Sequence, residues 1–131
     1  MATDDLPGRY VLVIDDNRTL ADSLVQMLKL LGYDTAATYG PRAALEAIRQ
    51  RLPDLILLDI NMPGVDGDEV CRYLRRDPTT QHIPIVAISS ETQPEVAAHI
   101  CAAGANAFLP KPIAMETLET MIARLITASA A

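Results

Sequence analysis

The chain has 131 residues, half of them apolar, with 17 acidic and 11 basic side chains and a formal charge of −6. That length makes one domain able to bury a core without staples, and the acidic balance argues against a nucleic-acid surface, which shows a basic patch. No stretch approaches the roughly 18 apolar residues of a membrane span, and the N-terminus lacks a signal-peptide pattern, so a cytoplasmic protein with no membrane partner is expected.

Residues 1–9 are polar, include Pro7 and Gly8, and read as a short leader before a domain spanning 10–127. Tyr10-Val11-Leu12-Val13-Ile14 is an apolar strand that ends on Asp15 and Asp16, with Asn17 placed to cap the next helix. Leu20, Leu24, Met27, Leu28 and Leu31 recur at helical spacing, and Gly32 ends that helix. Asp34-Thr35-Ala36-Ala37 is a weak strand suited to a sheet edge, and a second helix follows from Pro41 to Arg51.

Leu55-Ile56-Leu57-Leu58 is a run of four apolar residues, as in a parallel strand covered on both faces, and it leads straight into Asp59. An unpartnered carboxylate inside such a run is expensive, which places Asp59 where the strand ends, at the sheet's edge. Pro63-Gly64-Val65-Asp66-Gly67 is a turn-rich loop, and a third helix runs from about Asp68 to Arg76 around Val70, Cys71 and Leu74. Ile85-Val86-Ala87-Ile88 ends on Ser89 and Ser90. An alanine-rich fourth helix spans Pro94 to Ala103, and Ala107-Phe108-Leu109 runs into Pro110-Lys111-Pro112. The closing helix, about Met115 to Thr127, puts Met115, Leu118, Met121, Ile122, Leu125 and Ile126 on one face, leaving 128–131 as a frayed tail. Cys71 and Cys101 both fall in helices, form no C-x-x-C, and read as buried or half-buried free thiols.

Strand and helix alternate five times, which calls for a parallel sheet between helix layers joined by right-handed crossovers. Asp15, Asp16, Asp59, Ser89 and Lys111 all stand at or just after strand ends, so they share one rim, the place where ligands bind in open α/β sheets. Three converging carboxylates repel unless a cation joins them, and a hard divalent ion, Mg²⁺, suits oxygen ligands. Asp59 can then act as a nucleophile that forms an acyl phosphate, with Lys111 and the Ser89 hydroxyl meeting phosphoryl oxygens. Each residue alone has a plainer reading: an acidic turn, a solvated loop lysine, a strand-end hydroxyl. Their joint placement favours phosphoryl chemistry.

Four motifs in order carry a resemblance: Val13-Ile14-Asp15-Asp16-Asn17, then Leu57 through Gly67, then Pro84 through Ser89, and Phe108-Leu109-Pro110-Lys111-Pro112. Over about residues 9–126 the chain resembles a response-regulator receiver domain of two-component signalling, CheY-like or DivK-like. The resemblance implies a flavodoxin-like, doubly wound α/β fold: a five-stranded parallel sheet of order 2-1-3-4-5 with five helices. It implies that Asp59 accepts a phosphoryl group from a histidine kinase or histidine phosphotransfer protein. Mg²⁺ is held by Asp16 and Asp59 side chains, by the Asn61 carbonyl, and by Asp15 mainly through water.

The resemblance further gives Ser89 and Lys111 the phosphoryl contacts, makes Lys111-Pro112 a cis candidate, and makes Ser89 and Phe108 the switch that remodels a protein-binding face of the fourth helix and last strands. Asn61 and Glu91, each two residues past a site residue, resemble the pair found in fast self-dephosphorylating members. Such a protein is no enzyme beyond its own phosphorylation and dephosphorylation. Two rivals fare worse. A haloacid-dehalogenase-like phosphatase needs D-x-D after its first strand, which Asp15-Asp16-Asn17 does not supply. A pseudo-receiver would lack the intact acceptor, acids, Ser89 and Lys111. His82 and His99 read as surface residues, and a fourth helix without Lys or Arg speaks against a charged dimer face there.

Overall fold

The computed structural model describes residues 9–130 of the chain, with side chains through 127. Five strands, β1 (Tyr10–Ile14), β2 (Asp34–Thr38), β3 (Leu55–Asp59), β4 (Ile85–Ser89) and β5 (Ala107–Pro110), alternate with α1 (Arg18–Leu30), α2 (Pro41–Gln50), α3 (Gly67–Arg76), α4 (Pro94–Ala102) and α5 (Met115–Ala130). All strand pairs are parallel and the order is β2-β1-β3-β4-β5. This is the doubly wound, flavodoxin-like arrangement expected, with the weak strand β2 at one edge.

Side chains alternate across the pleat, so each strand feeds two cores. Leu12, Ile14, Ile56, Leu58, Ile85 and Ala87 pack with Ala44, Ile48, Cys71, Leu74 and Ile100 from α2, α3 and α4. Val11, Val13, Leu55, Leu57, Val86 and Ile88 pack with Ala21, Leu24, Leu28, Leu118, Ile122 and Ile126 from α1 and α5. The apolar runs are continuous in sequence because both faces are covered.

Local chemistry sets the boundaries. The Asn17 side chain caps α1 by accepting the Leu20 N–H at 3.1 Å, and Asp66 caps α3 through the Asp68 N–H at 2.9 Å. Helix α3 begins one residue earlier than expected, at Gly67, directly after the Asp66 cap and with its backbone against Ile60. A Cβ on Gly67 would stand 2.8 Å from Ile60 Cγ2. Helix α5 continues to Ala130, three residues past the expected end at Thr127, while residue 131 and all of the leader except Arg9 lie outside the described residues.

One expectation needs correction. Cys101 is exposed, because Ile100 occupies the inward position on α4, whereas Cys71 is fully buried and its thiol is pushed up to about 11, mainly by that burial. Asp59 ends the central strand β3 at the carboxyl-end rim of the sheet and is only 2% exposed.

Candidate functional site

The crossovers bring the carboxyl ends of β1, β3, β4 and β5 together, and the polar residues follow. Asp15 leaves β1 with its N–H donated to Thr38 O at 3.0 Å, which fixes it against the end of β2. Its Oδ1 accepts the Asn17 N–H at 3.0 Å. Its Oδ2 is buried with no hydrogen-bond partner. Asp59 is buried at the end of β3, and its Oδ1 accepts the Asn61 N–H at 2.9 Å and lies 3.2 Å from Lys111 Nζ. Asp16 is exposed beside them, and Asp15, Asp16 and Asp59 each offer an oxygen within 4.8 Å of the others.

Electrostatics makes this arrangement unstable without a counter-charge. Burial, then the shared contact with Asp59 and its charge, raises the Asp15 carboxyl from 3.8 to about 6, against the opposing pull of the Asn17 N–H and Lys111. Two facing carboxylates need a proton or a cation between them. The orphaned Oδ2 and the oxygen-only donor set fit a hard divalent ion, so Asp15, Asp16 and Asp59 form a cluster able to bind a metal.

Ser89 is fully buried at the end of β4, and Lys111 is tied beside it by its N–H to Ser89 O at 2.8 Å. The Lys111-Pro112 bond is cis, as expected. The Ser89 hydroxyl accepts the Glu91 N–H at 2.9 Å and donates to Asn61 Oδ1 at 2.9 Å, so its proton points at Asn61. The sequence points to Asn61 both through its main-chain carbonyl and, paired with Glu91, through its side chain. Its side chain is the busiest group at the rim, with Oδ1 also accepting from the Ser90 N–H at 2.8 Å and Nδ2 donating to Glu91 Oε1 at 3.1 Å. Phe108, paired in register with Ala87, is half-buried against the α2–α4 core. Every expected site residue therefore stands at this end of the sheet, with Phe108 one layer behind.

Sequence reasoning missed Ser90, and it missed a cluster on the β2 side where Arg18 lies over the Tyr39 ring, 4.1 Å from its centroid, and Tyr39 donates to Asp22 at 3.0 Å. The only sequence cue was Arg18 directly after the acidic turn. His82 and His99 are exposed as expected, His99 touching Asp68 across α3 and α4. The apolar groove lined by Leu45, Ile48, Tyr73 and Leu74, between α2 and α3, lies apart from these acids. No helix among the described residues is long and apolar enough to cross a membrane.

Comparison with known proteins agrees with this geometry. The DNA-binding response regulator MtrA of Mycobacterium tuberculosis is 37% identical over 108 residues, covering 82% of this chain and 46% of MtrA. This chain thus spans about half the length of the curated relatives it matches. Among solved structures, the chemotaxis protein CheY4 of Vibrio cholerae superposes with a TM-score of 0.84 at 30% identity, covering 90% of this chain and 98% of that one. The signal receiver domain of a signal transduction histidine kinase from Syntrophus aciditrophicus gives 0.83 at 29%, covering 92% of each. Residues 11–123 match the response regulator receiver domain, and the chain belongs to that family of two-component signalling proteins.

Proposed function

We propose that Asp59 is the phosphoacceptor of a two-component relay, taking a phosphoryl group from a phosphohistidine of a histidine kinase or phosphotransfer protein. The observation that carries this reading is the meeting of Asp15, Asp16 and Asp59 within 4.8 Å, with Lys111 Nζ 3.2 Å from Asp59. An Asp59 oxygen attacks phosphorus in line, the N–P bond breaks, and its electron pair leaves with the imidazole, which takes a proton from solvent. Asp16 and Asp59 side chains, the Asn61 carbonyl and, mainly through water, Asp15 would hold Mg²⁺, which would offset the charge on the phosphoryl oxygens. Lys111 follows the new anion away from the Asp59 carboxylate it already touches.

Ser89 must exchange Asn61 for a phosphoryl oxygen, and its movement lets Phe108 turn inward, changing the face of α4 and β5 offered to a downstream protein. The Asn61–Glu91 contact supports a short phosphoryl lifetime, with Glu91 near the path of attacking water. The DNA binding in the name of MtrA belongs to a protein about twice as long. At a net charge of −6 we assign this domain cytoplasmic protein partners and no nucleic acid.

Incubation with acetyl phosphate and Mg²⁺, followed by intact mass, tests the acceptor. Wild type gains one phosphoryl group and Asp59→Ala gains none. An adduct on both proteins overturns the assignment, and an Asp59 phosphoryl half-life unmoved by Asn61 and Glu91 substitutions removes the lifetime claim.

A further inference from the structure

We propose that Arg18, propped on the ring of Tyr39, is a specificity-determining residue for phosphoryl transfer: a fixed guanidinium at the rim that selects doubly charged phosphodonors over singly charged ones. The proposal rests on Asp59 being the acceptor. Arg18 is the first residue of α1 and follows Asp15, Asp16 and Asn17 directly. Tyr39 follows Thr38, the residue whose carbonyl holds the Asp15 N–H. The guanidinium and its support thus belong to the two segments that border the acidic pocket on its β2 side.

The guanidinium is held by Tyr39, whose hydroxyl stands between it and the Asp22 carboxylate. Its carbon stands 4.1 Å from the Tyr39 centroid, stacked on the ring face. Asp22 is occupied by the Tyr39 hydroxyl at 3.0 Å, which fixes the ring from its far end. Among the described residues Arg18 forms no ion pair with a carboxylate, whereas Arg49, Arg51 and Arg72 each do. It is also exposed. Stacking on a ring removes rotamer freedom without cancelling charge, so the cation stays presented to solvent.

Charge arithmetic gives that cation a task. A divalent ion together with Lys111 would balance the three pocket carboxylates, and Glu91 beside Asn61 leaves the mouth negative on a protein of net charge −6. A dianionic donor approaching that mouth meets repulsion from the whole molecule, and one fixed positive charge at the rim tips the local field in its favour. The effect scales with donor charge and is screened by salt, since the Debye length falls from about 30 Å at 0.01 M to about 3 Å at 1 M.

The experiment measures initial rates of Asp59 phosphorylation by intact mass at saturating Mg²⁺, with acetyl phosphate as the dianion and phosphoramidate as the monoanion. Arg18→Gln should slow acetyl phosphate about three- to fivefold at low salt and phosphoramidate by clearly less, with the difference gone near 1 M salt. Tyr39→Leu, which removes the support, should shift the donor ratio the same way, and Arg18→Lys should restore part of it. The Mg²⁺ midpoint should stay or fall, because a nearby cation has been removed; a structural defect in the pocket would raise it. Equal slowing of both donors, slowing indifferent to salt, or a raised Mg²⁺ midpoint overturns the proposal. Wild-type and Arg18→Gln rates that match overturn it while leaving Asp59 as acceptor. Absence of any adduct on wild-type Asp59 overturns both.

Discussion

Two of the places where the described residues draw charge away from water treat it in opposite ways. Arg75, near the end of α3, is half-buried and has no carboxylate partner among the described residues, yet its guanidinium donates four hydrogen bonds: to Gly104 O at 2.9 Å, Gln81 O at 3.1 Å, Ile83 O at 2.8 Å and Asn106 Oδ1 at 2.7 Å. Four of the five N–H donors of that group are used. At the rim, Asp15 and Asp59 are buried side by side, and one oxygen of Asp15 has no partner. A saturated buried charge fastens elements together, while an unsaturated one is held ready for a ligand. The comparison separates scaffold from site without reference to any relative.

The largest effects come from the unsaturated end. Asp59→Asn should abolish phosphoryl uptake completely and weaken Mg²⁺ binding at least tenfold, since it removes one of the three carboxylates of the cluster able to bind a metal. It should also stabilise the metal-free protein, because one member of the repelling pair becomes neutral while its acceptor for the Asn61 N–H survives. Urea unfolding with and without Mg²⁺ measures this. A metal-free protein less stable than wild type would show that Asp59 is saturated after all and that the contrast with Arg75 is false.

At the saturated end, Arg75→Ala should destabilise the fold by about 3 kcal/mol, because four acceptors lose their donor at once. Arg75→Lys should recover less than half of that, since a single ammonium cannot span the same fork. Neither should move the Mg²⁺ midpoint. Chemical denaturation followed by metal titration on the folded fraction reads both quantities.

The two ends also differ in how far the sequence revealed them. The rim was legible because buried parallel strands write their apolar runs directly into the chain and the polar residue ending each run stands out, as Asp15 and Asp59 do. The Arg75 clamp was not. Three of its four partners are main-chain carbonyls, and a carbonyl carries no sequence signature; only the fold brings residues 81, 83, 104 and 106 to one guanidinium. The Asn61–Glu91 pairing was legible, but the hold of the Asn61 acceptor oxygen on the Ser89 hydroxyl and the Ser90 N–H, 28 and 29 residues away, was not, because only the fold brings the end of β4 to it. Cys101 was misplaced because a short alanine-rich helix such as α4 gives little amphipathic contrast to say which side faces in.

Proton linkage supplies a third test. Asp15 is raised from 3.8 to about 6 by burial and by Asp59, so the folded protein binds a proton that the unfolded chain has released across that interval. Without metal, stability should therefore be greater near pH 4 than near pH 7 as far as this group is concerned, falling as pH rises through about 6. Asp15→Asn should flatten that slope. Mg²⁺ competes for the same site as the proton, so the wild-type Mg²⁺ midpoint should rise as pH drops below about 6. A metal-free stability profile identical in wild type and Asp15→Asn would mean that the orphaned oxygen carries no electrostatic strain.

The smallest expected effect joins the two regions through α3, whose last turn carries Arg75 and whose first residue, Gly67, lies under Ile60, the residue after Asp59. A methyl group at Gly67 would come within 2.9 Å of Ile60 Cβ as well as 2.8 Å of Cγ2, and these atoms belong to a short branched side chain that has little room to yield. Gly67→Ala should therefore destabilise the protein by about 1 kcal/mol, overpacking being partly offset by the better helix former. The more telling quantity is the metal affinity. Pushing Ile60 moves the backbone between Asp59 and Asn61, so the Mg²⁺ midpoint should rise about twofold even though the substitution adds no charge and touches no ligand. Arg75→Ala, far more disruptive to stability, should leave that midpoint alone. If the two variants instead lowered metal affinity in proportion to their loss of stability, the rim and the clamp would be one cooperative unit, and the division drawn from their hydrogen bonding would fail.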